Sequence, residues 1–231
     1  MKVLGFDSSG GACAAAVVID GTVAARRVAI MEYGQAERLM PMIAEVLDEA
    51  GTAAAQLDLI AVTVGPGSFT GLRIGLASAH GLALATGIPA VGVTSFDAVK
   101  VASDPAESVV IALESRREEL FLERRGDGAG GGAALVSPQD WLRFVPPGRC
   151  RLGGDGAARL AAALARRDLV IEPGDGRPDP VEIARVGLAA WQAGAARAPL
   201  PLYLRAPDTT TPRLLGAIAA DGAAGRSEAT R

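Results

Sequence analysis

The stretch that decides the fold is Gly65-Pro66-Gly67-Ser68-Phe69-Thr70-Gly71-Leu72-Arg73-Ile74-Gly75. The apolar run Leu59 to Val64 precedes it and predicts a buried strand. Small and apolar residues from Phe69 to Ala85 follow it and predict a helix. The stretch is therefore a tight turn from a strand into a helix, with Ser68 or Thr70 as the N-cap.

The spacing of this turn excludes three common site motifs. A P-loop needs a lysine after its last glycine, and the step from Gly65 to Gly71 is one residue too long. A dinucleotide fingerprint would need glycine where Thr70 stands, and the serine is one place away from a G-x-S-x-G elbow. A phosphate held by the free N–H groups of the helix start and a plain turn are both left open.

Ser68 has no base within reach. His80 is the only histidine of the chain, and a helix from Phe69 places it about 16 Å along the axis at the usual rise per residue. Hydrogen bonds span about 3 Å, which excludes a Ser68–His80 pair. A Cys13–His80 pair is not excluded by distance, but no residue pattern favours it. We expect His80 at the surface or at an interface.

Composition narrows the class of protein. The chain has 231 residues, a net charge of −3 and a pI near 5.3, so no strongly basic nucleic-acid face is indicated for the whole chain. Cys13 and Cys150 have no CxxC partner and are expected to be reduced, and one histidine makes a structural metal improbable. No apolar run reaches the roughly 18 residues of a membrane span. We expect a cytoplasmic protein without membrane contact.

The order of elements predicts an α/β protein of two lobes. Residues 1–98 read βββαβαβ, with a hairpin at Asp20-Gly21 and helices over 36–50 and 69–85. Residues 99–215 open on a second apolar strand that ends in a carboxylate and a serine, which suggests an internal duplication. Residues 216–231 contain mostly alanine, glycine and charged residues and predict a disordered tail.

Two carboxylates end equivalent strands. Asp7 is followed by Ser8 and Glu114 by Ser115. Facing each other across a cleft, they could hold Mg²⁺ and phosphates. Each could equally close a turn at its strand end. The residues alone leave both interpretations open.

The two helices of the first lobe have features of an interface. Gly71, Gly75, Ala79 and Ala83 recur every four residues and would permit close approach of another helix. Packing within the chain explains part of this pattern. Apolar or small residues on more than one face nevertheless predict that one face meets a partner.

The turn resembles the signature of the TsaB family, also called YeaZ. Supporting stretches are Phe6-Asp7-Ser8-Ser9, Arg38-Leu39-Met40-Pro41, Gly81-Leu82-Ala83-Leu84 and Tyr203-Leu204-Arg205. The resemblance covers roughly residues 1 to 205. It implies two lobes of the actin-like ATPase (ribonuclease H-like) fold, each a mixed sheet with helices. It also implies a bacterial cytosolic protein needed for N6-threonylcarbamoyladenosine at position 37 of tRNAs that read ANN codons.

The resemblance implies a non-catalytic subunit. The related TsaD would carry the metal and transfer the threonylcarbamoyl group, the ATPase TsaE would join the pair, and tRNA would be bound only through the complex. A homodimer through the same surface is implied when TsaD is absent. The interface residues expected on the two helices are Leu39, Met40, Ile43, Leu47, Leu72, Gly75, Leu76, Ala79, His80 and Ala83.

The resemblance also implies a degenerate nucleotide site. Its members would be Asp7, Ser8, Ser9, Glu114, Gly153 and Gly154, with Glu114 standing where the superfamily expects aspartate. The first helix lacks the paired histidines of the metal-binding relative, so ATP, Mg²⁺ and metal are expected on partner subunits. No catalytic residue is assigned. The alternative is an ATP-binding enzyme or glycoprotease-like metallopeptidase that uses Asp7 and Glu114 itself.

Overall fold

The structure is a computed structural model that describes residues 1–102, 107–126 and 132–205. The first lobe follows the predicted order of strands and helices. Its elements are β1 (Lys2–Asp7), β2 (Ala12–Ile19), β3 (Thr22–Ile30), α1 (Gln35–Glu49), β4 (Leu59–Gly65), α2 (Phe69–Thr86) and β5 (Ala90–Thr94). They form one sheet of order β3-β2-β1-β4-β5, in which β1 is antiparallel to β2 and parallel to β4.

The second sheet repeats this topology. The elements after β5 are β6 (Ser108–Glu114), β7 (Leu120–Arg125), β8 (Ala133–Val136), α3 (Trp141–Phe144), β9 (Cys150–Gly153), α4 (Ala157–Leu164), β10 (Leu169–Ile171) and α5 (Pro180–Gln192). The sheet order is β10-β9-β6-β7-β8, with β6 antiparallel to β7 and parallel to β9. Like β1, β6 is the central strand, as the duplication predicted. Strands β8 and β9, of four residues each, were not predicted from the sequence.

Both faces of the first sheet are covered. Leu4, Phe6 and Val62 pack beneath α1 and α2. On the other face, Val3 and Ala61 pack with Ile183 of α5. Burial on both faces explains why β1 and β4 are continuous apolar runs.

Helix α5 packs on the first sheet although it lies in the segment that the sequence assigned to the second lobe. Two glycines allow the contact. A Cβ on Gly5 would lie 2.3 Å from the Pro180 carbonyl oxygen, and one on Gly187 would lie 2.7 Å from the Ala61 Cβ. Periodicity predicts that α5 is a helix but carries no information about which sheet it covers. The predicted boundary between residues 98 and 99 therefore does not separate the two cores, because α5, which follows it in sequence, packs on the sheet that precedes it.

The predicted turns have the expected backbone. Asp20 and Gly21 both have positive φ, as a two-residue hairpin requires. Gly51 follows the last turn of α1 with φ +61°. Pro41 is the seventh residue of α1 and lies on its exposed side. The predicted disordered tail, residues 216–231, lies outside the described residues.

The first turn of α2 lies directly against the turn between β1 and β2. Ser68 is the N-cap, and its hydroxyl accepts a hydrogen bond from the Gly71 N–H. The Ser8 hydroxyl donates to the Gly71 carbonyl at 2.8 Å. A Cβ on Gly71 would lie 2.0 Å from the Ser8 carbonyl oxygen. The glycines expected to admit another helix therefore admit the chain's own turn.

We predict that Gly71→Ala destabilises the protein and that Gly81→Ala does not. The new methyl at 71 meets backbone that cannot move aside, at a cost of about 3 kcal/mol or more. Nothing lies within 4 Å of a Cβ at Gly81 in the same helix, so this control should gain about 0.5–1 kcal/mol. Urea unfolding of both variants measures the difference. Equal midpoints would show that the contact at Gly71 is not tight.

Candidate functional site

Asp7 closes the turn that follows β1. Its side chain is 2% exposed. One carboxylate oxygen accepts hydrogen bonds from the Ser9 N–H at 3.0 Å, the Ser9 hydroxyl at 2.6 Å and the Thr63 hydroxyl. Burial raises the pKa of this carboxyl above its usual range, while the bonds from Ser9 and Thr63 oppose the rise. Asp7 thus closes the turn through one carboxylate oxygen, and its role as a Mg²⁺ ligand stays a prediction.

Glu114, at the equivalent end of β6, is held by an arginine. Arg159 of α4 donates to both carboxylate oxygens, at 2.9 and 2.8 Å. The same guanidinium donates to the carbonyl groups of Glu118 and Glu119. In a bidentate pair of this kind, the guanidinium donates to both carboxylate oxygens and occupies the position at which a metal cation would bind them. The positive charge beside Glu114 is therefore supplied by the chain itself.

The two glycines expected at an adenosine site are packed by their own chain. A Cβ on Gly153 would lie 2.3 Å from Val101, and one on Gly154 would lie 1.9 Å from the Ala112 carbonyl oxygen. Gly176 lies against Gly154 so closely that a Cβ on Gly176 would be 2.2 Å from the Gly154 carbonyl carbon. Close backbone packing therefore explains why these positions carry no side chain.

The turn that follows β6 is linked to the first lobe through Arg116. Arg116 spans the gap, donating to the Gly10 carbonyl at 3.2 Å and the Glu32 carbonyl at 3.4 Å. It has φ +60°, which is uncommon for a residue other than glycine. The group that crosses the cleft is therefore an arginine side chain.

Most of the expected interface residues lie inside the protein. Seven of the ten are buried in its own packing: Leu39, Ile43, Leu47, Leu72, Gly75, Leu76 and Ala79. Met40 and His80 are exposed and Ala83 is half-buried. The regular apolar face of a helix is the face that its own sheet covers. Of the ten residues predicted to contact a partner, only these three, together with their exposed neighbours, are accessible to one.

The exposed side of α1 and α2 mixes small or apolar side chains with the acidic side chains of Glu37, Glu45, Asp48 and Glu49. We call it the outer face, and its exposed residues with small or apolar side chains are Ala36, Met40, Pro41, Ala44, Phe69, Ala77, Gly81, Leu84 and Ala85. Leu84 is 89% exposed and Met40 44%. Sequence analysis missed Ala77 and Gly81, although their spacing of four residues from Arg73 could have placed them on one stripe.

Residues 197–205, which we call the strap, join the two lobes. Gly92 donates to the Arg197 carbonyl, and Leu202 donates to that of Val64 at 2.7 Å. Leu202 packs on the core beneath α1 and α2, and Leu204 packs on the second sheet's cluster around Phe121. Sequence analysis used Tyr203 to Arg205 only as a resemblance and did not predict this link.

Comparisons with known proteins identify the family. A family model described as "TsaD: tRNA N6-adenosine threonylcarbamoyltransferase" matches residues 31–148. An uncharacterized protein of Mycobacterium tuberculosis is 37% identical over 210 residues, 89% of this chain and 92% of that one. The tRNA threonylcarbamoyladenosine biosynthesis protein TsaB of Escherichia coli is 33% identical over 124 residues, 52% of this chain and 53% of its own. The YeaZ structure from Pseudomonas aeruginosa superposes with a TM-score of 0.73 at 26% identity, covering 88% of this chain and 99% of that one.

The chain belongs to the TsaB (YeaZ) family. Its fold is that of the actin-like ATPases, as the sequence predicted. Component A of (R)-2-hydroxyglutaryl-CoA dehydratase from Acidaminococcus fermentans shares this fold alone, with a TM-score of 0.50 at 12% identity.

Two searches of the described residues found no candidate. No group of three or more His, Cys, Asp or Glu side chains is gathered in a way that could hold a metal ion. No helix in these ranges has the length and apolar character that crossing a membrane requires.

We predict that Mg-ATP does not stabilise the isolated protein. Ligand at 100 times its dissociation constant would add about 2.7 kcal/mol, which is roughly 5–10 °C in Tm for a chain of this size. Because Arg159 holds Glu114 and Gly176 covers Gly154, we expect a shift below about 1 °C. Differential scanning calorimetry with millimolar Mg-ATP measures it. A shift of several degrees that Arg159→Gln enlarges would show that the cleft binds nucleotide.

Proposed function

We propose that the protein is a non-catalytic subunit of the complex that makes N6-threonylcarbamoyladenosine at position 37 of tRNAs reading ANN codons. The observation that carries the proposal is the outer face of α1 and α2, which exposes apolar side chains such as Met40 and Leu84 in a chain of the TsaB family. Such surfaces on soluble proteins are commonly sites of protein–protein contact. The protein acts in the cytoplasm and reaches tRNA only within the complex.

The partner in direct contact is a TsaD homologue. The family model that matches residues 31–148 describes TsaD, so the chain is related to this partner across the region that contains α1 and α2. Related chains can meet through equivalent faces in a pseudo-two-fold arrangement, as identical chains do in a true dimer. The same reasoning accounts for a homodimer when the partner is absent, and TsaE joins the assembled pair.

The cleft of this chain supports the non-catalytic role. One oxygen of Asp7 accepts hydrogen bonds within its turn, and both oxygens of Glu114 accept from Arg159, so only part of the acceptor capacity of this pair is left for Mg²⁺. Transfer of the threonylcarbamoyl group, together with its metal and nucleotide, belongs to the partner subunits. This chain contributes a rigid, sheet-backed pair of helices that stabilises the partner.

We predict that loss of this protein lowers N6-threonylcarbamoyladenosine in tRNA. Nucleoside mass analysis after depletion of the protein in its own host measures the modification. Re-expression of the wild type and of Asp7→Asn should both restore it, because Asp7 has no catalytic task in the proposal. Unchanged modification after depletion would refute the assignment, and failure of an Asp7→Asn variant that keeps the wild-type Tm would refute the non-catalytic role.

We predict that Ala77→Glu weakens binding of the TsaD homologue at least about tenfold, since a charge buried at an interface without a partner is costly. Ala77 is exposed in the middle of α2. Ala162→Glu on α4, also exposed and helical, is the matched control and should bind as the wild type. Isothermal titration calorimetry provides both dissociation constants. Substitutions at buried Leu39 or Ala79 are unsuitable, because they would disturb the fold itself.

A further inference from the structure

Three exposed side chains stack at the beginning of α2. The Tyr203 and Phe69 ring centroids are 5.2 Å apart, and the Arg73 guanidinium carbon lies 3.8 Å above the centre of the Phe69 ring. Phe69 and Tyr203 are 39% and 40% exposed, and Arg73 is exposed too. We call this group the Tyr203–Phe69–Arg73 stack.

The fold holds the stack in place from two sides. Phe69 is the first residue of α2, immediately after the N-cap Ser68, and Arg73 is four residues further on the same side of the helix. Tyr203 comes from the strap, where its neighbours Leu202 and Leu204 are packed into two different cores. Alternation along an extended segment turns Tyr203 away from those cores and towards α2.

Arg73 has hydrogen-bond donors to spare. In the described ranges, it has a ring contact but no hydrogen bond or ion pair. Two other arginines of this region are engaged: Arg159 binds Glu114, and Arg205 binds Ser115 and Glu119. A guanidinium held over a ring still has N–H donors available for a carboxylate and has less freedom to lose on binding.

The position of the stack favours a protein as its ligand. Arg73, Ala77 and Gly81 follow one another at steps of four residues, so the stack continues directly into the outer face. Contact with a nucleic-acid backbone uses several Lys or Arg side chains, whereas the stack offers one. A single oriented guanidinium beside an apolar helix face suits one acidic side chain of a docked chain.

We propose that the Tyr203–Phe69–Arg73 stack is the polar anchor of the outer face, and that Arg73 binds an aspartate or glutamate of the partner chain. The inference rests on the proposed function, because it assigns the contact to the same TsaD homologue. It adds a specific requirement for an acidic side chain of that partner opposite the first turns of α2.

The test measures binding of the full chain to the TsaD homologue by calorimetry at 50 and 300 mM NaCl. Arg73→Gln should weaken binding about tenfold at low salt, which is about 1.4 kcal/mol, and should reduce the salt dependence, because a charge–charge contact is lost. Arg73→Lys should recover only part of the affinity, since an ammonium cannot bind in two-pronged fashion. Arg143→Gln, at an 86% exposed arginine of α3, is the matched control.

Each outcome has one meaning. Wild-type affinity and salt dependence in Arg73→Gln, while Ala77→Glu still disrupts binding, would overturn the inference and leave the proposed function intact. Failure of the wild type to bind the partner would remove both. Unchanged protein affinity with weaker tRNA retention by the complex would overturn the inference in favour of RNA. An unchanged Tm for Arg73→Gln confirms that the exposed substitution has not altered the fold, and Arg73→Lys repeats the comparison if it has.

Discussion

The contact between the first turn of α2 and the turn after β1 is the constraint on which the first lobe depends. At Gly71 the helix comes so close to Ser8 that no side chain fits between them, and the Ser68 N–H donates to the Ser9 carbonyl at 2.7 Å. This contact buries Asp7 and fixes its hydrogen bonds. It also sets where α2 begins, and hence the position on the surface at which the side chains of Phe69 and Arg73 are exposed. The close contact between the backbones at Gly71 and Ser8 therefore determines both the conformation of the turn after β1 and the position at which the outer face begins.

The cleft shows how a two-lobed fold can be held together by its own side chains. Arg116 reaches from one turn to the carbonyl groups of the other, and Arg159 neutralises the carboxylate that ends β6. Leu202 and Leu204 then anchor the strap in both cores. In an actin-like fold with nucleotide, the ligand joins the lobes; here the joining groups belong to the chain. This arrangement agrees with the proposed role of a subunit that presents a fixed surface.

Much of the fold could be predicted from local patterns, because buried strands are apolar runs and the turn at Asp20-Gly21 needs a particular backbone. The packing of α5 could not, since no local pattern reports contact between Pro180 and a glycine at position 5. The site was harder. The apolar positions of α1 and α2, such as Leu39, were taken for partner contacts, yet the sheet of the same chain covers them. Arg159 lies 45 residues from Glu114, and nothing local to either residue indicates the pair.

The position of α5 has a consequence for synthesis of the protein. The first sheet is complete once β5 has left the ribosome, but its second face needs a helix that begins 86 residues later, at Pro180. At a synthesis rate of about 5–20 residues per second, this interval lasts on the order of ten seconds. During that time the side chains of Val3, Ala61 and Val91 have no cover from α5. The first lobe is thus synthesised first, but its packing is completed only when α5 has been made. Until then the nascent chain exposes an apolar face of the sheet, the kind of surface that chaperones bind.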